Sequence, residues 1–197
     1  MSFVRPAAPF VLALGLAAFS PTAHAQEAPA AQDAPAATTA PAAEAMKPVD
    51  FRKLKELLPP KLIGLAKGDA TGQRTKLGEA TLVTVEATYG KDEGDAPKYA
   101  KLTLTDYGTA AFAKAVASWL VTEVDQESDH TYTKTADVQG RRALLTYDSA
   151  EKHGNAQTLA GGRTIVALDV YGVSDEEFKK ALEELPLKPI DALVTAK

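Results

Sequence analysis

Between residues 131 and 171 apolar and polar side chains alternate in four short runs, 131–137, 141–148, 155–160 and 163–171, and this pattern limits the fold more than any other feature. Turn signals separate the runs: Gln139-Gly140, His153-Gly154-Asn155 and Gly161-Gly162. Such a pattern builds antiparallel strands joined by tight turns. In the second run Ala143, Leu145 and Tyr147 share a face. In the last run Thr164, Val166, Leu168 and Val170 alternate with Ile165, Ala167, Asp169 and Tyr171, so both faces carry apolar residues and each needs cover, at least in part.

Earlier in the chain, residues 81–89 alternate in the same way and 99–105 return after a polar turn, which predicts a hairpin. A further strand is expected within 62–75, although Gly64, Gly68 and Gly72 weaken it and leave its register open. Three helices interleave with the strands. Asp50 caps the first, running to Leu58 ahead of Pro59-Pro60. The second starts near Thr109, with Phe112, Val116, Trp119 and Leu120 on one side. The third opens on a capping box of Ser174 and Glu177 and stops at Pro186. Ile190, Leu193 and Val194 in the tail have the spacing to fold back on the sheet. The expected fold is α+β: a largely antiparallel sheet of six to seven strands in the order α-βββ-α-βββ(β)-α, with the helices packed on it.

The first 25 residues read as an export signal: Arg5, an apolar run over 10–19, and Ala23 and Ala25 before a cleavage after Ala25. The apolar run is too short to cross a bilayer as a helix. No cysteine follows it, which removes a lipid anchor of that type, and the expected destination is the periplasm. Residues 26–48 hold ten Ala and four Pro and read as a disordered linker, because alanine and interrupting proline cannot build a core. Residues 49–197 then form one α+β domain. The chain contains no cysteine, so its core alone must hold it together and thiol chemistry is excluded. A net charge of −4 gives no reason to expect nucleic acid as a partner.

A Leu-Pro pair ahead of Gly64, Glu86-Ala87-Thr88-Tyr89-Gly90, Leu102-Thr103-Leu104-Thr105-Asp106-Tyr107-Gly108, Gln139-Gly140-Arg141 and Gly161-Gly162-Arg163 together resemble secreted bacterial domains without assigned function. The resemblance covers residue 49 to about 190 and implies no catalytic residues. The element order is also similar to the PsbP and Mog1 type of α/β/α sandwich, and that likeness implies an accessory or binding role.

No Gly-x-Ser-x-Gly turn, phosphate-binding glycine loop or His-Glu-x-x-His is present. If residues 138–141 form a tight turn, residues 131 and 148 face each other, and one end of the sheet gathers Asp125, Glu127, Asp129, His130, Asp148 and His153. Carboxylates suit calcium, and two histidines with an aspartate suit zinc, so a divalent cation is the one cofactor to consider there. A solvated charged loop set is the competing reading. The opposite end gathers Arg141, Arg142 and Arg163, which could bind an anion or simply blunt the sheet's end. Six tyrosines on or beside strands, Tyr89, Tyr99, Tyr107, Tyr132, Tyr147 and Tyr171, could line a face for sugars or lipid tails. The function expected from these features is a non-enzymatic accessory or binding module of the cell envelope on a flexible tether, with an envelope protein or small ligand as partner. A hydrolase using two of Glu86, Asp106 and Asp169, or a module that pairs its strand edge with a peptide, are the alternatives.

Overall fold

The computed structural model describes residues 48–77, 80–91 and 97–195; the expected export signal and the expected linker up to Lys47 lie outside the described residues. The elements are α1 (Phe51–Glu56), β1 (Lys61–Leu62), β2 (Leu65–Leu77), β3 (Ala80–Lys91), β4 (Lys98–Asp106) and α2 (Ala110–Val116). After α2 come a 3-10 turn (Ser118–Leu120), β5 (Asp125–Glu127), β6 (Thr131–Val138), β7 (Arg141–Asp148), β8 (His153–Ala160), β9 (Thr164–Tyr171), α3 (Asp175–Glu183) and α4 (Leu187–Thr195).

The fold is α+β, as expected, but among the described residues the sheet has nine strands rather than six to seven, in the order β1-β2-β3-β4-β9-β8-β7-β6-β5. The two additional strands, β1 and β5, are two and three residues long, too short to show a period. Every pairing is antiparallel. Two meanders meet where β4 lies beside β9, and the sheet stays open.

Alternation gives the sheet two unlike faces. On the inner face Val83, Val85, Ala87 and Tyr89 of β3, Leu102 and Leu104 of β4, and Val166, Leu168 and Val170 of β9 are buried. Leu54 of α1, Phe178 of α3 and Leu187 and Ile190 of α4 join the same core. Each buried Val, Leu, Ile or Phe among them stabilises the fold by about 1.5–3 kcal/mol relative to exposure.

Two glycines explain misplaced sequence signals. Gly154 lies inside β8 rather than in a turn, because a Cβ there would come within 2.9 Å of the Phe178 ring. Its neighbouring turn is closed by Asp148, whose carboxylate accepts from the N–H of Ala150 at 2.8 Å and of Glu151 at 3.0 Å. Gly72 likewise leaves room for Phe51, whose ring would lie 2.5 Å from a Cβ. Glycine inside these strands marks close approach of a helix, not a strand end.

Among the helices, the capping box of α3 is present: the Glu177 N–H donates to Ser174 Oγ, and the Ser174 N–H donates to the Glu177 carboxylate. Pro186 precedes a fourth helix, α4, which buries Leu187, Ile190 and Val194. α2 starts beside Thr109 as expected, with Thr109 as its cap, but the helix breaks at Ala117 and Val116 is left 46% exposed. Gln139 at the β6–β7 turn donates its side-chain amide to the carbonyls of Leu182, Glu183 and Leu185, closing the end of α3.

Asp106 and Arg163, proposed above for carboxylate chemistry and anion binding, are instead partners in a buried ion pair at 3.0 Å. Asp106 also accepts from the N–H of Val49 at 2.8 Å and of Gly108 at 2.9 Å. The pair thus ties the start of α1, the end of β4 and the start of β9 together. No helix among the described residues is long and apolar enough to cross a membrane.

Candidate binding face of the sheet

The outer face is covered only over part of its width. The segment after α2 crosses β6 and β7, where the Val124 N–H donates to Thr135 Oγ1 at 3.0 Å and Arg142 donates to the Thr122 carbonyl at 2.8 Å. Trp119 is buried there but stands outside the main core. Toward β4, β9 and β8 no described element covers the face, its side chains are half-buried, and the register sets which of them meet. Tyr99, Tyr171 and His153 stand opposite one another in one row, and Lys101, Asp169 and Asn155 in the next.

These two rows form a connected group. The Tyr99 and Tyr171 rings have centroids 5.9 Å apart and planes only 14° from parallel. His153 lies beside Tyr171, with 5.9 Å between ring centroids, and its Nε2–H donates to Asp169 at 3.0 Å. Asn155 donates to the same carboxylate oxygen at 3.4 Å. Lys101 pairs with Glu86 at 3.0 Å. The His153 and Asp169 side chains are 43% and 36% exposed, enough for a ligand to reach them. An aromatic surface bordered by a carboxylate, an amide, an imidazole and an ammonium can take the apolar face of a ring-shaped ligand while pairing with its hydroxyls or amides.

The other tyrosines do different work. Tyr147 donates to the Val173 carbonyl at 2.8 Å and stacks on Phe178. Tyr132 donates to Asp175 at 2.6 Å; burial, reinforced by that carboxylate, pushes its phenol well above the usual range. Tyr89 is fully buried and Tyr107 meets Phe112 edge-on.

At the acidic end, Thr131 does face Asp148, as the turn at 138–141 requires. Asp125 and Glu127 lie on β5, and Asp129 and His130 in the turn after it, all exposed. Asp148 is engaged in its own turn, the His130 carbonyl accepts from Ser149, and the His153 ring points to Asp169. A cleft of about 160 Å³ touches Glu127, Asp129, His130 and Asp175. Among the described residues no three His, Asp or Glu side chains gather as a metal ion would need. At the other end, Arg141 pairs with Asp191, Arg142 holds the Thr122 carbonyl and Arg163 is buried, so the three are separated.

Lys101 and Asn155 were missed as members of a site. Their signal was present in the alternation of β4 and β8, but it becomes readable only once β4 is known to pair with β9. No family model matches the chain, and no curated protein or solved structure does. The class is therefore set by fold and face alone: an antiparallel α+β domain with α1, α3 and α4 packed on one side of the sheet, and polar and aromatic residues on the other side over β4, β9 and β8.

Proposed function

We propose that this is an exported, non-enzymatic binding module of the periplasm, carried on the linker of residues 26–48, and that it holds a saccharide on the open sheet face. The observation that carries this reading is the near-parallel Tyr99–Tyr171 pair bordered by the His153–Asp169–Asn155 group. A sugar ring presents C–H bonds to an aromatic surface and hydroxyls at its rim, and the rim here offers both donors and acceptors. A lipid tail suits the face less well, because Lys101 and Asp169, in the row next to the rings, are charged and half-exposed. Binding is favoured over carboxylate hydrolysis because Asp106 is buried in its ion pair, while Glu86 and Asp169 are each engaged by a neighbouring side chain.

Titration calorimetry with a β-1,4-linked N-acetylglucosamine disaccharide tests the reading. Saturable heat from the wild-type chain, lost in Tyr171→Ala and weakened in Asp169→Asn, is expected. Equal binding by wild type and Tyr171→Ala, or no binding at millimolar sugar, would refute it.

A further inference from the structure

β2 is the longest strand, at 13 residues, yet it borders the sheet for most of its length. β1 pairs only with its first two residues, Leu65 and Ala66, and the Lys67 N–H reaches the Pro60 carbonyl at 3.0 Å. Beyond that point no described strand pairs with its other side. Among the described residues, the main-chain donors and acceptors of that side thus have no strand partner. Gly68 is exposed, and since it has no side chain, the exposed surface is main chain.

The first part of this edge is protected by an irregular register between Lys67 and Ala70, which bends the strand. From Ala70 to the strand's end the pairing with β3 is regular. Arg74 and Lys76 stand opposite Val83 and Thr81, on the inner side of the edge, whereas Thr71, Gln73 and Thr75 stand opposite Glu86, Thr84 and Leu82, on the outer side. Among the described residues neither Arg74 nor Lys76 has an ion-pair partner; Asp50, whose field reaches Arg74, is paired with Arg52. Within 70–77 there is no acidic residue, on a chain whose net charge is −4.

We propose that residues 70–77 of β2 bind an extended acidic peptide of a partner protein as an added strand. The main chain of the edge supplies hydrogen bonds, and Arg74 and Lys76 select Asp or Glu at every second position. Between them, Thr, Ser or Val of the peptide lies beside Thr71, Gln73 and Thr75. A second copy of this chain is a poorer occupant. Antiparallel pairing of this segment with itself would gather two Arg74 and two Lys76 side chains on one face with no carboxylate among them.

The test uses the full chain, a fluorescently labelled Thr-Glu-Thr-Glu-Thr-Glu-Thr peptide and the same peptide with Lys in place of Glu. Saturable anisotropy with the glutamate peptide and slowed amide hydrogen exchange over 70–77 are expected. The exposed double variant Arg74→Glu, Lys76→Glu should weaken that peptide by at least about tenfold and bind the lysine peptide instead. Tyr171→Ala should leave peptide binding unchanged, which separates this edge from the open face. Unslowed exchange at millimolar peptide would overturn the proposal. So would binding indifferent to charge reversal, or a dimer whose 70–77 amides are already protected without peptide.

Discussion

Replacing Asp106 by Ala tests whether the buried ion pair is structural. Asp106 is fully buried and Arg163 is 4% exposed. The carboxylate accepts from the Arg163 guanidinium and from two backbone N–H groups, of Val49 and Gly108. Removing it takes the Asp106 charge away from the buried Arg163 cation and the acceptor away from both backbone N–H groups. Breaking one side of a buried pair costs roughly 3–5 kcal/mol. In a domain of this size each kcal/mol lowers Tm by about 2–4 °C, so the fall should be roughly 6–20 °C. Urea unfolding and calorimetry measure it directly. Arg163→Met should also destabilise, and the double variant should lose less than the sum of the two, with a coupling of about 0.5–3 kcal/mol. A loss below about 1 kcal/mol for Asp106→Ala, or strict additivity in the double variant, would refute the assignment.

Other consequences of the fold can be checked in the same way. Gly154→Ala should cost about 1–3 kcal/mol, because the added methyl meets Phe178 at 2.9 Å and Val170 at 3.0 Å; an unchanged urea midpoint would contradict that packing. Gln139→Ala should cost about 1 kcal/mol through loss of the amide that closes α3, with faster hydrogen exchange at the helix's end. Glu177 is held below its ordinary value of 4.5 by the Lys98 ammonium, then by the Ser174 N–H. Its folded value lies below its unfolded one, so its contribution is complete above about pH 4.5 and fades as pH falls through the folded value. With 41% of its side chain exposed, Glu177→Gln should lose at most about 1 kcal/mol at neutral pH, and the gap from wild type should close in acid.

Sequence pattern revealed most where the determining interactions are local. The Ser174–Glu177 capping box spans one helical turn, and the β6–β7 hairpin is set by its own turn at Gln139-Gly140, so both are present as read. Nonlocal packing hid the rest. Gly72 looked like a strand-weakening residue and Gly154 like part of a turn because Phe51 and Phe178, which need the space, lie far away in sequence. Asp106 and Arg163 each looked available for chemistry until their pairing was known. The open face depends on β4 pairing with β9, a contact with no turn to announce it, and only that pairing brings Tyr99 to Tyr171 and Lys101 to Asp169. The four-residue spread of α2's apolar stripe failed for a different reason: the chain leaves the helix at Ala117 to lay Trp119 over the sheet.

The most direct test of the binding face is an amide NMR titration of the isotope-labelled chain with the N-acetylglucosamine disaccharide. The account predicts shifts centred on Tyr99, Lys101, Asn155, Asp169 and Tyr171, with the inner-face strand residues Val85, Leu104 and Val166 changing little, and loss of the response in Tyr171→Ala. Shifts confined to the acidic end around His130 and Asp148, or a response that survives Tyr171→Ala, would contradict it.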